Sequence, residues 1–159
     1  MTIEIIILIL LVVIILYYLL NNYKIEFFNH KGPSKVSKKD KEFLLQHFDE
    51  KSMKTFEKYY HLVNVNRLIE NNKIIAMVFD TNNKSIQEIP HISWNGLFLS
   101  HLCVNKNYRN KGIGTKMIKK VINKGKQLNK DHVMLLVKKK NVNAISLYEK
   151  LGFKKYQEG

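Results

Sequence analysis

Several residue types and patterns are scarce in this sequence, and each scarcity excludes something. There is one cysteine, Cys103, so no disulfide can form within the chain, and a lone thiol suits a reducing compartment. The six histidines, His30, His47, His61, His91, His101 and His132, show no metal-ligand spacing with one another or with Cys103, so no structural metal is expected. Arginine is nearly missing: Arg67 and Arg109 are the only two among 27 Lys+Arg. There is no G-K-[ST] phosphate loop, no G-x-G-x-x-G followed by an acidic residue at nucleotide-binding distance, and no internal repeat. Nucleic-acid binding would rest on lysine content alone, without stacking motifs or a recognisable module, so no specific nucleic-acid partner is expected.

The 159 residues are enough for one domain with a real core plus an appendage. The formal charge of +14, from 27 Lys+Arg against 13 Asp+Glu, reflects lysine-rich solvated faces. Such a surface concentrates acidic partners, whether lipid headgroups, nucleic acid or a polyphosphate cofactor, without choosing among them.

The appendage is the N-terminus. Ile5 to Leu20 is unbroken apolar sequence, and Ile3 extends it across Glu4. As a helix the run reaches about 27 Å, which just spans a thin bilayer. Tyr17, Tyr18 and Tyr23 fall where an interfacial aromatic belt would sit. A cleaved signal peptide would show a basic start and a small-residue cleavage site, and neither is present. Lys24, Lys31, Lys35, Lys38 and Lys39 all follow the run, so the positive-inside rule predicts a single-pass membrane protein with a cytoplasmic body. The expected division is an anchor at 1–23, a basic juxtamembrane segment with room for a first strand at 24–36, and a folded domain at 37–159.

Within the body, Ser37 to Asp40 reads as a capped helix start and Met53 to Leu62 as a second short helix. Val63 to Glu70 and Ile74 to Phe79 form a β-rich pair across Asn71-Asn72, which predicts a hairpin. Thr81 to Ser93 is polar and irregular, and Trp94 to Val104 reads as a longer strand. A helix follows, with Ile113, Met117, Ile118, Val121, Ile122 and Leu128 as its buried stripe. Val133 to Val137 has the apolar character of a central strand covered on both faces, and Asn141 to Leu151 is a last helix stopped by Gly152. The fold class is α/β, an α+β mixed sheet with a strand-helix-strand unit in its C-terminal half.

The chemistry is written between the third strand and the long helix, in Arg109-Asn110-Lys111-Gly112-Ile113-Gly114. A strand, a glycine-containing turn and a helix N-terminus make an anion site, because free amides and the helix dipole converge there. Gly112 and Gly114 would let the backbone approach a phosphate, and Arg109 and Lys111 add charge. The segment matches R-x-x-G-x-G, extended upstream by Leu102-Cys103-Val104-Asn105-Lys106-Asn107-Tyr108. A second block, Asn141-Val142-Asn143-Ala144-Ile145-Ser146-Leu147-Tyr148-Glu149-Lys150-Leu151-Gly152-Phe153, matches N-x-x-A-x-x-L-Y-x-x-x-G-F. Together the two blocks resemble the GNAT superfamily of acetyl-CoA-dependent N-acetyltransferases, clearly from Leu97 to Tyr156 and only in element order from Ser34 to Ser93.

That resemblance implies the acyl-CoA N-acyltransferase fold, preceded here by one transmembrane helix and shortened at its C-terminal strand. It implies acetyl-CoA as donor, with its pyrophosphate on the turn from Arg109 to Gly114 and a hydroxyl contact from Thr115. The main chain of Leu102, Cys103 and Val104 would meet the pantetheine arm, and an N–H near Val104 the carbonyl oxygen as it gains charge. Tyr148 matches the position that commonly reprotonates the departing thiolate, and Asn141 one that commonly contacts the cofactor arm. The strand carries no Glu or Asp where many relatives place a base, which leaves His101 as the nearest titratable group, with Glu88 acting through water as a weaker candidate. Cys103 reads as a small buried hydrophobe. The few residues after Phe153 supply only a stub of the usual last strand, so the membrane, another protein or a second copy of the chain, as a homodimer, could complete the acceptor side. The function expected is acetyl transfer to a primary amine, of a protein or a small molecule, at the cytoplasmic face of a membrane. The alternative is a catalytically silent, membrane-anchored interaction module of the same fold.

Overall fold

The structure, a computed structural model, describes residues 10–15, 24–28, 35–82 and 95–156. Five strands lie in chain order in one sheet: β1 (Lys24–Phe28), β2 (Asn64–Glu70), β3 (Lys73–Thr81), β4 (Gly96–Val104) and β5 (His132–Leu135). The first three junctions are antiparallel and the last is parallel. Residues 10–15 form a helical stretch, α1, whose apolar side chains are exposed. The other helices are α2 (Lys38–Leu44), α3 (Glu50–Tyr59), α4 (Ile113–Gln127) and α5 (Val142–Lys150).

Local chemistry sets the ends of these elements. The Ser37 hydroxyl accepts from the Asp40 amide at 3.1 Å to start α2, and the Asp49 carboxylate accepts from the Ser52 amide at 2.7 Å to start α3. Asn71 and Asn72 both adopt positive φ, 48° and 61°, the conformation that closes a two-residue hairpin between β2 and β3. Gly152, at φ 88°, ends the run of α5.

The sheet is covered on both faces. On one, Phe43, Leu44, Met53, Phe56 and Tyr60 pack over Val65, Met77, Phe79 and Cys103. On the other, Ile113, Met117, Ile118 and Val121 of α4 pack over Leu68, Ile75, Val78, Leu97 and Leu99. Two buried ionic groups tie these layers to the sheet. Asp40 of α2 accepts from the Arg67 guanidinium of β2 and, at 2.8 Å, from the Tyr60 hydroxyl. Burial alone would raise the Asp40 carboxyl, but the hydrogen bonds and charge of Arg67 hold it below its usual 3.8. Asp80 of β3, with no exposed surface, accepts from Asn64 at 2.9 Å, Asn66 at 2.8 Å and the Lys124 ammonium of α4 at 2.6 Å.

The structure amends four expectations. The second helix begins earlier than Met53, at Glu50, and its last turn, Tyr60–Leu62, is a tighter 3-10 turn. Leu128 is the C-cap of α4 and about half exposed, because the helix stops before the buried stripe returns. The strand expected at Val133 to Val137 is His132–Leu135, half-buried along its length, because among the described residues it is the last strand of the sheet and has no neighbour beyond it. Lys154 to Tyr156 form no strand. Trp94 and most of the expected anchor lie outside the described residues, and among those described no helix is long and apolar enough to cross a membrane.

Candidate active site

Two departures from regular pairing in β4 create the site. The first is a loss of partner. β4 pairs with β5 only from Gly96 to Leu99, so from Ser100 onward its β5-facing edge has no strand beside it among the described residues. Gly96 permits the close start of that pairing, since a Cβ there would lie 2.4 Å from His132 Nε2. The Asn105 amide donates to the Ile75 carbonyl at 2.9 Å, which makes that pair a hydrogen-bonded one. Alternation back along the ladder then turns the N–H and C=O of Leu102 and Val104 away from β3, into the opening.

The second departure is a bulge. His101 lies opposite Phe79 while Leu99 lies opposite Asp80, so Ser100 is the extra residue. Leu97, Leu99, Leu102 and Val104 all belong to the α4-side core, and the three-residue step from Leu99 to Leu102 leaves Ser100 and His101 together on the other face. There both line a pocket of about 330 Å³ with Lys51, Ser52, Thr55, Phe56 and Tyr59 of α3 and Val63.

The turn after β4 is fixed from several directions. The Asn105 side chain accepts from the Asn107 amide at 3.0 Å, a 3-10 turn runs over Lys106–Tyr108, and the Tyr108 hydroxyl donates to the Glu70 carboxylate. Asn110 and Gly112 adopt positive φ, 60° and 74°. Gly112 is the N-cap of α4, and neither a side-chain cap nor an acidic residue serves the first turn. The Lys116 amide is the first to bond back, to the Gly112 carbonyl at 3.0 Å. The amides of Gly112, Ile113, Gly114 and Thr115 therefore have no acceptor among the described residues, and a Cβ on Gly112 would meet nothing within 4 Å. An open, uncapped helix N-terminus of this kind fits an anion, and a diphosphate in particular.

The residues singled out in the sequence take the following places in the fold. Arg109 folds back so that its Nε donates to the Val104 carbonyl at 3.1 Å, which puts its charge near Cys103 as well as the turn. The Lys111 ammonium sits 5.4 Å from the Tyr108 ring centroid. Asn110 is exposed on the turn, Ile113 is buried in the α4-side core, and Thr115 is half-buried. Gly114 does something other than expected: its missing Cβ would lie 3.2 Å from Leu147 and 3.7 Å from Leu102. It lets α5 and β4 close on α4, and its amide is one of the four without an acceptor among the described residues. Asn141 caps α5, its side-chain oxygen accepting from the Ala144 amide at 3.3 Å, so that oxygen is already engaged.

Tyr148 lies half-buried on α5, its ring T-shaped against Phe153 at 5.7 Å. Burial, and then the neighbouring Cys103, raise its phenol above the usual 10.0, so it keeps its proton at neutral pH. Burial pushes the Cys103 thiol up to about 12, which leaves it without thiolate character. His101 is an exposed residue overall, but its ring lies against Phe48 at 5.0 Å and Phe56 at 5.2 Å, and the desolvation at these contacts lowers its imidazole from the usual 6.5, which favours the neutral, proton-accepting form. Glu88 lies outside the described residues.

Sequence reasoning passed over Ser100 and His47. The Ser100-His101 pair is the one polar interruption in the strand GLFLSHLCV, and that broken alternation was the available signal. His47, after α2, sits against Phe43 at 4.9 Å, and burial followed by the charge of Arg109 lowers its imidazole. Nothing local in the sequence brings His47 toward Arg109; the packing of the α2–α3 turn over the end of β4 does.

Comparison with known proteins agrees with this geometry. Residues 21–153 match the acetyltransferase (GNAT) family model. An N-alpha-acetyltransferase 30 from Xenopus laevis is 41% identical over 56 residues, 35% of this chain, which spans 20% of that relative's length. Among solved structures, an IAA acetyltransferase from Bacillus cereus superimposes with a TM-score of 0.66 at 17% identity, over 85% of this chain and 79% of the other. A GNAT family acetyltransferase from Elizabethkingia anophelis with acetyl-CoA bound gives 0.65 at 19% identity, over 86% and 79%. At these identities the structural likeness carries the fold.

Proposed function

We propose, from the premise that this chain belongs to the acetyltransferase (GNAT) family, that it transfers the acetyl group of acetyl-CoA to a primary α-amine, as at a peptide N-terminus. The observation that carries the reading is the edge of β4 left unpaired beyond Leu99 and followed by the free amides of α4, with His101 on β4 itself and Tyr148 near enough to Cys103 of that strand to feel it. The amides of Gly112 to Thr115 hold the diphosphate, and the outward N–H of Leu102 or Val104 faces the carbonyl oxygen as it gains charge. His101 takes the proton from the amine as the new N–C bond forms. Tyr148 gives a proton to the departing thiolate as the C–S bond breaks, and solvent restores both side chains.

Four considerations favour an α-amine over a lysine or polyamine. A neutral amine is needed, and roughly a tenth of an α-amine with pKa near 8 is neutral at pH 7, against fewer than about one in a thousand for lysine near 10.4. His101, its imidazole lowered by desolvation against Phe48 and Phe56, suits the weaker proton demand of the α-amine. The pocket also carries Lys51 and no carboxylate among its described lining, so a second cation on the acceptor would have no partner there. The matched relative is by name an N-alpha-acetyltransferase.

The same reading puts the domain at a membrane, held by the apolar run from Ile5 to Leu20 with the site on the cytoplasmic side. Full-length chain reconstituted into liposomes tests both parts. It is expected to float with the vesicles and to release thiol from external acetyl-CoA faster with a free-N-terminus tetrapeptide than with an Nα-blocked lysine peptide or spermidine. Binding of acetyl-CoA without thiol release on any amine would instead mark a silent interaction module. Chain left behind in the soluble fraction would remove the anchor.

A further inference from the structure

We propose that Ser100 is a second acceptor-binding residue, its hydroxyl oxygen accepting a hydrogen bond from the incoming amine and aiming the nitrogen lone pair at the thioester while His101 removes the proton. This rests on the acetyltransferase reading above and adds to it a residue outside both sequence motifs.

Three observations carry the inference. The bulge displaces Ser100 from the α4-side core, where regular alternation from Leu102 would put it, to the pocket face beside His101. The register shift that makes the bulge is anchored across the ladder, since Asp80, opposite Leu99, is held by Asn64, Asn66 and Lys124. The Ser100 hydroxyl is buried and has no hydrogen-bond partner among the described residues. A buried hydroxyl left unpaired in an apolar setting is disfavoured unless something that comes and goes satisfies it.

The surroundings limit what that something is. The other lining groups of the pocket are aromatic or aliphatic (Phe56, Tyr59, Val63) or lie on the exposed side of α3 (Lys51, Ser52, Thr55). Thr55 already donates to the Lys51 carbonyl at 3.1 Å. A neutral amine brings two N–H donors and one lone pair. His101 serves as acceptor for one N–H, Ser100 for the other, and the lone pair is left for attack. The two adjacent side chains thus match the hydrogen-bonding pattern of a primary amine in its reactive protonation state, and a secondary amine would leave one of them unsatisfied.

The test compares wild type, Ser100→Ala and Ser100→Thr in thiol release with a free-N-terminus tetrapeptide and with the same peptide N-methylated at its terminus. Acetyl-CoA affinity and melting temperature are measured alongside. Ser100→Ala is expected to lower kcat/KM for the primary amine at least tenfold, and to lower it much less for the N-methyl peptide, with acetyl-CoA affinity unchanged. Ser100→Thr, which keeps the hydroxyl, is expected to recover most of the loss. Equal loss on both peptides, or no loss on either in a variant that melts like wild type, overturns the proposal. If Ser100→Ala does not fold, a Ser100→Thr enzyme that has lost primary-amine selectivity overturns it as well. An inactive wild type would overturn the acetyltransferase reading itself, an outcome the comparison separates from the others.

Discussion

Tyr148→Phe is expected to lower kcat by about a hundredfold, within the range for loss of a positioned general acid, while acetyl-CoA affinity stays within about twofold. The substitution is clean because the ring's role survives it: phenylalanine keeps the T-shaped contact with Phe153 and the half-buried place on α5. The hydroxyl has no hydrogen-bond partner among the described residues, so removing it orphans no neighbour. What is lost is the phenolic proton, which a tyrosine carries at neutral pH and which burial makes harder still to remove. Steady-state rates together with calorimetric affinity check this. A variant with wild-type kcat would make Tyr148 a packing residue and leave the thiolate to solvent.

Gly112→Glu is expected to weaken acetyl-CoA binding by on the order of a hundredfold, or ~2.7 kcal/mol. Gly112 sits at φ 74°, where any side chain is strained, and the space in front of it is open, so the new carboxylate stands before the uncapped amides of α4. It would occupy that site as an internal anion and repel the diphosphate. Gly112→Ala shares the backbone strain without the charge, so the affinity gap between the two variants, read by calorimetry, isolates the electrostatic part. Equal affinities for the Ala and Glu variants would mean that the turn binds no anion. Gly114→Asp is a different experiment, because its side chain would press on Leu147 and Leu102, and its expected effect is destabilisation of the α4–α5 contact.

Much of this was legible in the sequence because it depends on local chemistry. The Ser37 cap, the Asn71-Asn72 turn, the buried stripe from Ile113 to Val121 and the glycine stop at Gly152 are short-range signals, and the structure realises each. The uncapped helix start at Gly112 was readable in the same way. What the sequence concealed depends on pairing between distant segments. The half-buried state of β5 follows from its place at the end of the described sheet, which the apolar run from Val133 to Val137 does not encode. The role of Gly114 depends on Leu147, which lies on another helix. The bulge at Ser100 arises from the register of β4 against β3, and a one-residue slip there decides which face a side chain occupies. The polar break at Ser100-His101 was visible in the strand, but not that a bulge puts both side chains on one face.

The central claim is that the free amides of Gly112 to Thr115 receive the diphosphate of acetyl-CoA. Backbone amide ¹H–¹⁵N shifts of the full-length chain in detergent micelles, followed during titration with CoA, test it at single-residue resolution. The account predicts that the largest saturable shifts fall on Gly112, Ile113, Gly114 and Thr115, with smaller ones at Leu102 and Val104. Saturable binding that leaves those four amides unmoved and shifts other parts of the chain would contradict it.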